Sequence, residues 1–420
     1  MRLDVDYARE LDRQDPLAHF RDEFIIADPD LIYMDGNSLG RLPKRTLARL
    51  KDVVEIEWGQ RLIRGWGEGW YDAPQRIGAK IARLIGAQPD EVIVTDSTTV
   101  DLFKLVMAAL GARPTRHNIV TDDINFPSDL YVLQGAARLA GSEYCVRLVH
   151  SEDGLSLTES ALQDGVSSDT ALLALSHTAF KSGYMYNMAA VTQIAHRHGA
   201  LMLWDLSHSV GAVPVALNAS EVDLAVGCTY KYLNGGPGAP AFLYVRRDLQ
   251  ERLLSPIWGW FGQRDQFDMR LTYEPAPGPT HFLAGTPSLL SLAAIEPGVD
   301  LLLEAGMDRL RAKSVAQTDY VIGLWEARLK PLGVTLNSPT DSGVRGSHVA
   351  LGHPEGLRID RALIEDMKVI PDFRYPDNIR LSIAPIYTSF AEIHEAVGRI
   401  RQVITGRLYE KYPTQRPQVT

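Results

Sequence analysis

Five short apolar runs set the rhythm of the middle of the chain: EVIVTD (91–96), HNIVTD (117–122), YCVRLV (144–149), ALLALS (171–176) and ALMLWD (200–205). Each is rich in β-branched residues or leucine and too short for a buried helix. Helical stretches near 98–111, 128–140 and 189–198 separate them. Continuous apolar strands alternating with helices predict an α/β fold whose mostly parallel sheet is buried on both faces. Two more strand candidates, VDLAVG (222–227) and APAFLYV (239–245), flank the segment GCTYKYLNGGPG.

The pattern differs at both ends. Residues 5–24 read as one amphipathic helix, with Leu11, Leu17 and Phe20 among charged neighbours. The stretch LIYMDGNSLGRLPKRT (31–46) is an irregular loop leading into a helix near Lys44. Beyond about 290, long helices (about 287–304 and 307–331) precede short strands at SHVALG (347–352), VIPDF (369–373) and NIRLSI (378–383), then a terminal helix near 389–406. The change predicts a large α/β domain over 46–290 and a smaller α+β domain over 291–420, with the segment 1–45 packing against the smaller one.

Composition removes several functions. Net charge is −9 over 420 residues, with acids and bases interspersed and no basic run for nucleic acid. No apolar run approaches the ~20 residues that span a bilayer. The start, MRLDVDYARELDRQDPLAHF, has no apolar signal core, so export is not expected. Cys145 and Cys228 are the two cysteines and form no metal-ligand pattern, which points to a reducing, cytoplasmic setting.

Ligands of open α/β sheets bind beyond the carboxyl ends of the strands, so strand-end residues define one candidate surface. It holds Ser97, Thr98 and Thr99 at a helix start, Phe126 and Asp129, Asp205 and His208, and the Tyr230-Lys231 pair. Hydroxyls and free N–H groups at a helix start suit a phosphate, although Ser and Thr also serve there as simple caps. Asp205 suits a protonated pyridine nitrogen, or a capping role; Asp129 is a second carboxylate or a cap. Phe126 stacks on a ring or joins the core, and His208 supports a ligand or fills the crevice. Lys231, approached by small apolar residues, suits a nucleophilic amine. Together these point to an aromatic, phosphate-bearing ligand that forms an imine with lysine, and pyridoxal 5′-phosphate (PLP) has that chemistry. His196 and His198 in HRH read as surface residues rather than metal ligands, and no metal is expected.

Longer motifs extend this reading: YMDGNSLGRLPK (33–44), DSTTVDLFK (96–104), FPSD (126–129), SHTAFKSGYMYNM (176–188), WDLSHSVGAVPV (204–215), GCTYKYLNGGPGAPAF (227–242) and RLSIAPIYTSF (380–390). In this order they resemble the kynureninases, fold-type-I PLP hydrolases related to the class V aminotransferases. The resemblance implies hydrolytic Cβ–Cγ cleavage of L-kynurenine, or of 3-hydroxykynurenine, in the tryptophan-degrading kynurenine pathway that feeds NAD biosynthesis. It implies that Lys231 binds the cofactor as an imine, that Thr98, Thr99 and the Tyr230 hydroxyl hold the phosphate, and that Phe126, Asp129, Asp205 and His208 surround the ring. Trp260 and Thr286 complete the cofactor site from the partner subunit of a homodimer. Arg380 pairs with the substrate α-carboxylate, and Tyr230 relays protons. Trp66 with Gly285 and Thr286 is similar to the kynurenine-preferring bacterial form. Rival readings are a class V aminotransferase, a cysteine desulfurase (which needs a cysteine after the lysine), a non-catalytic PLP binder, and a dinucleotide oxidoreductase, which needs a GxGxxG after the first strand.

Overall fold

All seven apolar runs between 91 and 245 become strands of one sheet in the computed structural model, which describes residues 2–415. The spatial order is Val92–Thr95, Ala241–Val245, Leu224–Gly227, Leu201–Asp205, Thr170–Ser176, Asn118–Asp122 and Cys145–Val149. Ala241–Val245 runs antiparallel to both of its neighbours, and the other pairs are parallel. The reversal follows from the connection at 228–240, which contains no helix and so cannot make the crossover that a parallel return needs. Successive side chains enter opposite cores: Leu201 and Leu203 face the helices Thr98–Ala112 and Pro127–Ala140, whereas Met202 and Trp204 face Ala73–Ile85, Met188–Arg197 and Leu289–Ala305. The α/β architecture with a mostly parallel sheet therefore stands.

Two local expectations fail for identifiable reasons. The single helix over 5–24 is split into Val5–Gln14 and a 3₁₀ turn at Ala18–Glu23, because Pro16 removes an N–H and clashes with the preceding turn. The run VIPDF is also divided at Pro371. Val369–Ile370 pairs in parallel with Ile32–Tyr33, and Asp372–Arg374 joins a different, antiparallel sheet. That sheet has the order Asp372–Arg374, Asn378–Ser382, His348–Gly352, Thr335–Leu336. Three helices escaped the pattern reading: Ala73–Ile85, Glu159–Gly165 and Gly356–Met367.

The N-terminal segment is tied to the C-terminal helix Phe390–Thr405. The Asp12 carboxylate accepts the N–H groups of Phe390 (2.7 Å) and Ala391 (2.9 Å), and Arg21 pairs with Glu392 at 2.7 Å. These contacts satisfy donors that a helix start leaves open. The loop 35–40 lies between the two sheets through contacts of its own: Asn37 N donates to Ser382 Oγ at 2.9 Å and Gly40 N to Tyr230 O at 2.8 Å.

Candidate active site

Lys231 follows the strand Leu224–Gly227 on a turn whose shape is held from both sides. Thr229 Oγ1 donates to Pro240 O at 2.6 Å, and Gly235 N and Asn234 N close on Thr229 O and Lys231 O, each at 2.9 Å. The loop 35–40 presses against this turn. Gly40 N donates to Tyr230 O at 2.8 Å, and a Cβ on Gly40 would lie 2.3 Å from Lys231 O, so only glycine fits there. Tyr232 is buried and reaches the other sheet, 3.3 Å from Ser382 Oγ and 3.4 Å from Ser347 O. The tyrosine after the lysine therefore ties the large sheet to the small one, a role the sequence left unassigned.

The Lys231 ammonium lies 3.2 Å from His208 Nε2 and within 5.8 Å of the Phe126 ring centre. Burial, with Lys231, Arg380 and His348 nearby, holds the His208 imidazole well below its usual pKa, so the neutral ring offers Nε2 as an acceptor. Asp205 ends its strand with Oδ1 accepting Ser207 N at 2.6 Å. Asp129, in the first turn of Pro127–Ala140, faces it. Burial, with the Asp205 carboxylate close by, raises the Asp129 pKa well above its ordinary value and favours its protonated form. The Phe126 ring meets Phe180 edge-on at 5.3 Å and leaves a face open.

At the start of the helix Thr98–Ala112 it is Ser97 that caps, accepting Val100 N at 3.4 Å. Thr98 and Thr99 are thereby released from capping. A cavity of about 320 Å³ opens there, lined by Asp96, Ser97, Gly238, Pro240, Gly285 and Thr286. Buried Lys104 holds its floor, pairing with Asp96 and donating to Phe282 O at 2.6 Å. Gly285 and Thr286 of this chain thus line a cavity beside the start of that helix. Trp66 and Trp260 stand in an adjoining aromatic layer. Trp66 packs on Trp70 (5.7 Å) and Phe261 (5.6 Å), whereas Trp260 meets only Phe267 edge-on (5.6 Å) and is 39% exposed.

Arg380 enters from the strand Asn378–Ser382 and is buried. Its Nη1 donates to Phe180 O (2.6 Å), which links the small sheet to the loop carrying the aromatic face. The residues around it were not singled out in the sequence: Asp35, Ser38, His348, Asp360, Asp372 and Arg374. A signal was present for two of them. The turn YPDN (375–378) joins two strand-like runs, and in the folded hairpin Asp372 is the register partner of Arg380.

This region packs several acidic side chains close together away from solvent. Burial, Asp372 and Asp35 push the Asp360 carboxyl up to about 8, against about 3.9 in an unfolded chain. The folded state therefore favours the protonated form, and stability is withdrawn progressively as pH rises from about 4 to about 8. Asp360→Asn keeps the shape without the proton, so its Tm should exceed that of the parent at pH 9 and match it near pH 4. Thermal melts at the two pH values check this.

His196 Nε2 pairs with Asp223 at 2.8 Å and His198 Nδ1 with Ile194 O at 3.0 Å. Among the described residues no group of three or more His, Cys, Asp or Glu side chains is arranged to hold a metal ion.

The family of class-V aminotransferases matches residues 32–347, and the kynureninase C-terminal domain matches residues 310–400. The chain is 44% identical over 404 residues to a kynureninase of Pseudomonas fluorescens, covering 95% of both chains. It is 42% identical over 402 residues to a kynureninase of Burkholderia mallei, covering 94% of both. Among solved structures, the cysteine desulfurase of Thermococcus onnurineus superposes with a TM-score of 0.75 at 19% identity, covering 97% of this chain and 99% of that one. A C-DES mutant with glycine covalently linked to its PLP cofactor gives 0.78 at 19% identity, covering 89% of this chain and 97% of the other. The solved structures establish the fold, that of fold-type-I PLP enzymes. Near-full-length identity, together with a kynureninase domain in the very segment that carries Arg380, shows that this chain belongs to the kynureninase family.

Proposed function

We propose that the protein is a PLP-dependent hydrolase that cleaves the Cβ–Cγ bond of L-kynurenine with water, giving anthranilate and L-alanine. The observation that carries this reading is the meeting of Lys231, His208 and Arg380, drawn from both sheets, in a member of the kynureninase family. The residues fit PLP on the chemistry of the donor set. An amine borders a neutral imidazole, an aromatic face lies open, two acidic side chains end the crevice, and a helix start with two spare hydroxyls borders a cavity.

PLP, when bound, supplies a carbonyl for an amine and an electron sink for charge developed next to that amine. In our assignment Lys231 Nζ would hold the cofactor and, as a free amine, would take the proton from the substrate Cα. Thr98, Thr99 and the Tyr230 hydroxyl hold the phosphate. Phe126 covers the ring, and Asp205, with Asp129 and His208 behind it, faces the ring nitrogen. Arg380 orients the substrate through its α-carboxylate. Burial raises the Tyr230 phenol above its usual pKa, which keeps a proton available for the departing three-carbon fragment at Cβ. Water attacks the γ-carbonyl.

The site is completed, in this reading, by a second copy that delivers Trp260 and Thr286, with Trp66 and Gly285 toward the aromatic amine. Exposed apolar side chains support a homodimer. Trp58, Leu62, Ile63, Ile257, Trp258, Phe267, Met269 and Leu271 are all exposed, and the segments that carry them touch nearby through Trp66–Phe261 and Tyr71–Gln266. Leu271 is fully exposed in the single chain, which is unusual for leucine without a partner. The double variant Ile63→Asp, Leu271→Asp should sediment at half the parent mass. Its turnover should be at least roughly tenfold lower, since removal of positioning groups carries that scale of loss. Sedimentation velocity and a steady-state assay check both.

We place the reaction in tryptophan breakdown in the cytoplasm. No helix among the described residues is long and apolar enough to cross a membrane. The deciding experiment incubates the purified protein with PLP and either L-kynurenine or 3-hydroxykynurenine, without a keto acid. Fluorescent anthranilate and alanine in equal amounts are expected, with the higher kcat/KM on L-kynurenine. Amino transfer that requires a keto acid, with no carbon–carbon cleavage, would overturn the reading. A desulfurase is disfavoured because Cys228 is buried and precedes the lysine.

A further inference from the structure

Arg380 is held from behind by a carboxylate that has no part in the chemistry above. Asp372 Oδ2 accepts from Arg380 Nη2 at 2.5 Å, from Arg374 Nη2 at 2.6 Å and from Ser38 Oγ at 2.8 Å. Ser38 Oγ also lies 3.1 Å from Arg380 Nη2, so three side chains from three segments close one ring. With Nη1 donating to Phe180 O, the guanidinium is held at both ends, and its Nε is buried without a partner. An unanswered buried donor is destabilising, which is tolerable where a ligand carboxylate arrives to answer it.

Charge supports the same picture. Two guanidiniums, Arg374 and Arg380, surround Asp372. The other acids nearby are held toward their neutral forms by burial and by Asp372: Asp35 is pushed up to about 7 and Asp360 to about 8. The buried histidines His208 and His348 are kept neutral by burial and the same cations. Two guanidiniums thus share one carboxylate while the acids and imidazoles around them are shifted toward neutral forms, which leaves the pocket attractive to an incoming anion.

We propose that Asp372 is a positioning residue for substrate recognition: with Ser38 it fixes the Arg380 guanidinium so that its unpartnered Nε side is presented to the substrate α-carboxylate. The proposal rests on the reading that Arg380 binds that carboxylate. Asp372 touches no reacting atom; it acts through Arg380.

The test compares the parent holoenzyme with Asp372→Asn and, in case that variant does not fold, with Ser38→Ala, which removes one hydroxyl. Asp372→Asn is expected to raise KM for L-kynurenine at least tenfold while kcat changes less than threefold. Ser38→Ala should raise KM about threefold. In both, the spectrophotometric Kd for PLP and the Ki of the decarboxylated amine of the substrate, which lacks the α-carboxylate, should stay within twofold of the parent. A variant that loses affinity for the decarboxylated amine as strongly as for the substrate would show a general structural role and sink the proposal. So would KM values within twofold of the parent in every folded variant. A parent enzyme that releases no anthranilate from L-kynurenine sinks the functional reading instead, before any variant is compared.

Discussion

Lys231→Ala is expected to reduce turnover of L-kynurenine by roughly 10⁴-fold or more, the upper range for removing a positioned general base. The loss has two sources. In the proposed assignment the variant loses both the amine that would anchor the cofactor and the base, which lies 3.2 Å from His208. Borohydride treatment should fix PLP to the parent chain and leave the variant unlabelled, as read by intact mass. Fold stability should change little, because Lys231 is only half-buried and its ammonium has a neutral imidazole, not a carboxylate, as its partner. A variant that kept full turnover or still captured PLP covalently would remove Lys231 from the site.

Arg380→Gln is expected to lower kcat/KM by about 2–5 kcal/mol, the scale of a truncated buried charge pair, or roughly 30- to several-thousand-fold. Most of the effect should appear in KM if, as proposed, the guanidinium binds the α-carboxylate, a part of the substrate remote from the bond that breaks. The same substitution leaves Asp372 facing Arg374 alone, so some thermal stability should also be lost. Steady-state kinetics with a parallel thermal melt separates the two effects. Restoration by Arg380→Lys should be partial, since a single ammonium cannot meet Asp372, the Phe180 carbonyl and a ligand together.

Six of the seven apolar runs between 91 and 245 announce their strands because a strand buried on both faces admits almost nothing but β-branched and aliphatic residues, a local constraint visible in composition; Cys145–Val149, at the sheet edge, is largely exposed and admits Arg147. The residues closing those strands, Asp205 and the Tyr230-Lys231 pair, are legible for a related reason: polar groups after such a run have to face a crevice or be satisfied. Prolines misled only where their effect was discounted, at Pro16 and Pro371. The surroundings of Arg380 were opaque. Asp35, Ser38, His348, Asp360 and Asp372 come from four separated segments, and nothing in any one of them shows that it shares a buried site with the others.

The chain's own order of residues thus decided which segments are strands, which lysine is set apart, and which family motifs accompany it, because periodicity, turn chemistry and motif spacing act over a few residues. Tertiary structure alone decided that Tyr232 bridges the two sheets, that the Asp129 and Asp360 carboxyls are pushed toward their protonated forms, and that His208 is held neutral. Those outcomes depend on desolvation and on charges brought within a few ångströms by distant parts of the chain. Burial and charge proximity are properties of the packed molecule, and no stretch of sequence holds them by itself.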